Sequence, residues 1–211
     1  MSSFNDNDFE DFEAYEMDTT AAAEAERGRM DTTGAYVCKI TKAESTVSEG
    51  KGTRGMVIGV QASTGDEAEF TLWTKKADGT PIFGFNQLQA IMMLTGVKGL
   101  TGRKGTVSRW DSVAGQRIDM PGVTYPELVG KKVGLMMQKE HYTKNAGGDG
   151  FRMNMVGAYH PETMHTCAEM KANVARADKA AKMIEKLKDK DSRIVTSKPS
   201  YTESTDIDGG F

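Results

Sequence analysis

Cysteine is nearly absent from this 211-residue chain: Cys38 and Cys167 stand alone and far apart. That excludes a disulfide-stapled scaffold and a four-cysteine zinc site. No run of 18 apolar residues occurs, so no helix of this sequence is expected to span a membrane. The first thirty residues are acidic rather than basic-then-apolar, so no signal peptide is expected. Hydrophobic residues amount to 38%, a lean share that still suffices for one core in a body of about 130 residues. The chain also lacks G-x-x-x-x-G-K-[ST], G-x-S-x-G, H-E-x-x-H and G-x-G-x-x-G, so no enzyme class announces itself. Gly130-Lys131 has no upstream glycine to cradle a phosphate, and the adjacent acids Asp66 and Glu67 lie in a turn. The reading is a soluble, non-enzymatic protein of a reducing compartment, with no catalytic residue, cofactor or metal.

What is present is an uneven charge distribution. The net charge is -3, but residues 1–33 carry -8, residues 191–211 carry -2, and residues 34–190 carry +7. Acidic ends on a basic body suit a polyanion-binding domain whose tails modulate it or recruit partners. Solvating tails on an ordinary domain would give the same tally. Residues 1–33 mix acids with Phe4, Phe9, Phe12 and Tyr15 and read as a disordered segment, with order beginning near Gly34.

Hydrophobic periodicity then sets out the body. Period-two alternation predicts strands at 35–41 (Cys38 and Ile40 inward), 56–62 (Met56, Ile58, Val60 inward, with Gly59 at a bend or bulge), and 69–75 (Phe70 and Leu72 inward). Helical spacing of Phe85, Leu88, Ile91 and Met92 predicts a helix over 83–96 that Gly96 would cap. Glycines, two prolines and basic residues make 97–127 read as a long insertion. Strands return at 128–142 and 151–159, with Val133, Leu135, Met137, Met153 and Met155 inward. A single C-terminal helix is predicted over 162–189, followed by a flexible acidic tail over 191–211. The fold class is therefore mainly β, and five strands with a helix between the third and fourth is the element order of the OB-fold, a small Greek-key barrel. The domain plan is 1–33, an acidic segment; 34–160, the barrel; 161–190, the helix; and 191–211, the tail.

The polar face of these strands carries the candidate site. Trp73 lies on the side opposite Phe70 and Leu72 and is followed by Lys75 and Lys76, a combination that suits base stacking and phosphate neutralisation. Lys39, Lys132 and Arg152 fall on outward positions of their strands. The glycine-rich turns add Lys51 and Arg54, then Tyr142, Lys144 and Phe151. Trp110, in the insertion, is a further stacking candidate. The alternative for Trp73 is packing beneath the insertion, with the lysines serving solubility. His160, His165, Cys167 and Cys38 could supply zinc ligands, but His165 and Cys167 are two apart on the expected helix and diverge, and both cysteines fit apolar faces.

In GAYVCKITKAE (34–44), FNQLQAIMMLTGV (85–97), LVGKKVGLMMQKEHY (128–142) and FRMNMVGAY (151–159), the chain resembles the single-stranded DNA-binding proteins encoded by bacteriophages. Its end, TDIDGGF, resembles the acidic, Phe-terminated tail of the bacterial and phage versions. Gly209-Gly210 departs from the bacterial pattern, which has proline before the last Phe. The resemblance implies sequence-independent binding of single-stranded DNA in phage replication, recombination or repair, in the host cytoplasm. It also implies that Asp206, Asp208 and Phe211 dock replication partners such as polymerase or helicase/primase. Oligomeric state is left open, with a homo-oligomer among the options. The rival reading is a phage adaptor or inhibitor that acts through protein contacts and has no nucleic-acid affinity.

Overall fold

The computed structural model describes residues 16–19, 28–111, 114–144 and 147–193, with Trp110 described by its backbone alone. The expected acidic segment (1–33) and tail (191–211) lie mostly outside these ranges. The described chain is mainly β, and no described helix is long and apolar enough to cross a membrane.

Strand β1 (Gly34–Val47) organises the sheet. One edge pairs antiparallel with β2 (Arg54–Ala62), and β2 pairs with β3 (Glu67–Lys75). The other edge is shared. Its first part, Gly34–Lys39, pairs with β6 (Lys132–Thr143), while Glu44 meets Thr124 at the end of β5 (Gln116–Thr124). β6 in turn pairs with β7 (Asp149–Tyr159). A bulge at Thr41 faces Gly59, as the glycine suggested. A Cβ on Gly59 would stand 3.0 Å from both Thr41 Oγ1 and Lys42 Cγ. The extra residue flips the alternation, so Ala43 turns inward and Lys42 shares the outer face with Gly59.

Helix α1 (Phe83–Thr95) crosses the end of the sheet and buries Leu88, Ile91 and Leu94. It stops at Gly96, whose φ of 70° gives the left-handed cap the sequence called for. Ile40, Ile58, Ile91, Leu128, Val133, Leu135 and Met137 are fully buried in the core. Met56, Met153 and Met155 fill gaps around them, in keeping with the pliable thioether.

Four expectations are corrected. The sheet is open, not a closed barrel: β3 and β7 form no ladder. The seam between them is occupied by Gly28–Met30, so order begins before Gly34. Met30 N–H donates to Glu67 O and Glu67 N–H to Gly28 O, both at 2.8 Å, and the Met30 side chain enters the core. Secondly, there are eight strands among the described residues rather than five. The 97–127 insertion folds into a hairpin arm, β4 (Arg103–Asp111) with β5, in nine consecutive pairs. Its alternation is mostly between exposed residues, so the apolar signal of a strand is faint. Thirdly, Leu128 reaches the core from a turn, and β6 begins only at Lys132.

Fourthly, the single C-terminal helix is two short ones, α2 (Cys167–Lys171) and α3 (Lys179–Glu185). Glu169 explains the break. Its carboxylate completes a capping box with Thr166 and also accepts from the N–H groups of Asp178 and Lys179 at 2.9 and 2.8 Å. A carboxylate that ties both helix starts together requires the chain to turn between them, and Asn173 takes φ 51° in that turn. Met164, Met170 and Val174, which lie at helical spacing in the sequence, are consequently exposed. α3 packs Ala180 on Met136 and Tyr159, covering the outer face of β6 and β7. β8 (Lys190–Asp191) then runs parallel to β6 at Glu140–His141, taking the place along β6 that β1 vacates.

Candidate functional site

Eleven of the twelve sequence-derived candidates fall into three groups. The first gathers where the β1–β2 turn meets the end of β3. Trp73 stands opposite Gly55 in the register, and its benzo ring lies so close over that glycine that a Cβ there would be 2.8 Å from Cε3. Gly55 therefore provides the floor on which the indole lies flat, leaving Trp73 38% exposed. A bulge at Thr74 brings Lys75 opposite Arg54. The turns bearing Lys51 and Lys76 touch, since a Cβ on Gly52 would be 3.2 Å from Ala77 Cβ. Lys51, Arg54, Lys75, Lys76 and Trp73 are all exposed at this end of the sheet; the bulge turns Arg54 and Lys75 to the face opposite Trp73, where Lys75 lies 6.0 Å from the Phe85 ring centre. The arm does not bury Trp73.

The second group lies around the β6–β7 turn. Gly150 abuts the side chains of Tyr142 and Lys144. Phe151 is half-buried against the core, with the Arg29 guanidinium 4.2 Å and the Lys139 ammonium 4.6 Å from its ring centre. Arg152 lies 5.6 Å from the Tyr142 ring centre and donates to Glu140 at 2.8 Å. Phe151 is thus already engaged by cations, and Tyr142 is the more open ring of the two.

The third group is a pair: Lys39 and Lys132 face each other across β1 and β6, both exposed. Like charges directly opposite repel, so this position stores a preference for an anion. Trp110 stands apart on the arm, opposite Arg117 in the register. The tail residues Asp206, Asp208 and Phe211 lie outside the described residues.

Between the first two groups runs a feature the residue pattern did not reveal. The arm leans over the outer face of β1, β2 and β3 and encloses a cleft of about 760 Å³ bordered by Arg29, Lys42, Glu69, Arg117 and Arg152. Five side chains of alternating charge tie arm to sheet. Arg109 on β4 lies 3.8 Å from Glu44, and Glu44 is 4.0 Å from Lys42. Lys42 is 2.5 Å from Glu69, which is 3.1 Å from Arg117 on β5. Arg109 also donates to the Ser45 carbonyl. Burial raises the Glu69 carboxyl, but Lys42 and Arg117 outweigh it, and the net shift is downward. Lys42 escaped the sequence reading because the bulge reverses its face. Arg109 and Arg117 escaped because the insertion was read without strands.

Two groups of the zinc alternative are engaged elsewhere. The His165 ring donates to Val174 O at 2.9 Å, and the Cys167 thiol donates to Ala90 O at 3.4 Å. Burial pushes the Cys38 thiol up to about 12. Among the described residues no three potential metal ligands cluster. No protein-family model matches the chain, and no curated protein matches it.

Proposed function

We propose that the protein binds single-stranded DNA without sequence preference, as an OB-type module with an open seam, in phage DNA replication, recombination or repair. The observation that carries this reading is an exposed Trp73 packed over Gly55, with the exposed cations Lys51, Arg54, Lys75 and Lys76 at the same end of the sheet. A base stacked on such an indole contributes about 1–3 kcal/mol, and the surrounding cations release counterions when they take phosphates. The strand order supports the fold assignment: β1 pairs with both β2 and β6, and α1 separates β3 from the β6–β7 pair. From Trp73 the strand runs into the cleft under the arm. There Lys42, Arg109 and Arg117 exchange the carboxylates of Glu44 and Glu69 for phosphate oxygens, a swap of one anion for another. The path ends at Tyr142, Lys144 and Arg152. Asp206, Asp208 and Phe211 dock replication proteins in this scheme, and the complex acts in the cytoplasm of the bacterial host.

The test is tryptophan fluorescence during titration with poly(dT) at several salt concentrations. The expected result is quenching, with log affinity falling against log salt at a slope of about -0.7 per phosphate neutralised. Trp73→Ala should weaken binding about tenfold, the lower end of one stacked base. Absence of salt-sensitive binding would leave the protein–protein adaptor reading in its place.

A further inference from the structure

Strand β4 terminates the path β3-β2-β1-β5-β4 and pairs with β5 alone. Among the described residues no backbone hydrogen bond joins it to any segment outside that hairpin. It is nine residues long, matched to β5 without a bulge, and has no proline of its own. Natural sheets blunt such edges with bulges, prolines, charged side chains or a covering element; β4 has no bulge, proline or cover, and only its charged side chains guard it.

We propose that this edge is the interface of a homodimer, in which β4 of one copy pairs antiparallel with β4 of a second copy about a two-fold axis through Val107. The sequence RKGTVSRWD is self-complementary about that residue. Arg103 then stands opposite Asp111 of the second copy, at both ends of the ladder. Thr106 stands opposite Ser108, and Gly105 leaves room opposite Arg109. Neighbouring registers are worse. An axis through Thr106 sets Arg103 against Arg109, and opposed like charges destabilise a strand pair. An axis through Ser108 leaves Arg103 and Lys104 beyond the overlap.

Both charged partners can make the exchange. The Arg103 side chain is 67% exposed and its contact with Glu127 is a long 3.9 Å. Asp111 accepts a hydrogen bond from Ala114 N–H, and a carboxylate can accept more than one donor at a time. Ile118 and Met120, opposite Arg109 and Val107 in the β4–β5 register, share the face of Val107 and are 37% and 43% exposed. In the joined sheet β5-β4-β4-β5 these residues and their symmetry mates lie on one side as an apolar strip. The interface is isologous and closes on itself, so it gives dimers and not fibres.

Sedimentation equilibrium of the full chain without nucleic acid tests this proposal independently of the DNA-binding reading. Twice the chain mass is expected at high-micromolar concentration. Arg103→Asp and Asp111→Arg should each raise the dimer dissociation constant about tenfold, equivalent to 1.4 kcal/mol, and the double variant should restore it. A monomeric wild type, or single reversals that leave the constant unchanged, would overturn it. Should a reversal fail to fold by circular dichroism, cysteine pairing replaces it. A mixture of Thr106→Cys and Ser108→Cys chains should cross-link under mild oxidation far more than either chain alone. Equal cross-linking in all three samples also overturns the proposal.

Discussion

Two outward faces of the sheet each bury a glutamate, Glu44 on β1 and Glu140 on β6, and they hold it in different ways. Glu140 is saturated. It accepts from Arg152, Asn154 and Ser192 at 2.8, 2.6 and 2.7 Å, and Lys190 lies at 2.9 Å. Those hydrogen bonds, Arg152 foremost, hold its carboxyl far below the usual range. Glu44 is just as hidden, at 6% exposure, yet its Oε2 makes no hydrogen bond and has only Lys42 and Arg109 at 4.0 and 3.8 Å. A saturated carboxylate fastens the C-terminal segment to β6. A loosely held one leaves its cations ready for a better anion. In the proposed reading the covered face is structural, and the face under the arm is the exchangeable one.

The largest effect that would break this contrast is on the saturated side. Glu140→Ala orphans Arg152, Asn154 and Lys190 and should cost about 1–3 kcal/mol in chemical denaturation, while freeing Arg152, at the end of the proposed DNA path, for a phosphate, so that poly(dT) affinity does not fall. A variant of unchanged stability would remove the distinction. On the other face, Glu44→Gln should change stability by less than about 1 kcal/mol, since it breaks no short bond. It should also tighten poly(dT) binding, because Arg109 and Lys42 lose a competing anion. Weaker binding would show that Glu44 positions these cations instead of competing for them.

The smallest effect concerns acid stability of the covered face. Backbone N–H groups of Thr166, Lys179 and Asp178, with the Thr166 hydroxyl, lower the Glu169 carboxyl to about 2. Its contribution is then complete above the carboxylate's ordinary value and is lost as pH falls from there toward 2. Thermal melts of wild type and Glu169→Gln should accordingly converge over that interval. A difference that persists unchanged at pH 2 would refute the assignment.

How much of this was legible in the residues follows from the physics of each signal. Strands β1, β3 and β7 and helix α1 bury mainly one face, and β2 and β6 are buried on both over much of their length, so Cys38, Ile58, Leu72, Leu88 and Met153 announce the core by apolar pattern. The arm lacks that pattern, because residues such as Thr106, Gln116 and Asp119 leave both its faces largely in water. The C-terminal region misleads in the opposite sense. Alanines and methionines at helical spacing suggest one long helix, while a polar residue, Glu169, decides where it breaks. Of the candidate cations, Arg54, Lys75 and Lys76 could be found beside Trp73, but the bulge at Thr41 hid Lys42.

Local sequence alone set the mainly β class, the position and cap of α1 and the inward residues of the five core strands, whereas the exposure of Trp73 was left open until the arm was placed. The first three follow from local period, turn chemistry or burial preference, which act over a few residues. Only the tertiary structure decided that the sheet stays open at β3 and β7, with Met30 wedged into the seam. It also decided that the arm folds back to link Arg109 and Arg117 to Glu44 and Glu69. Those outcomes depend on contacts between residues tens of positions apart, where a bulge of one residue or a single charge pair determines which faces meet.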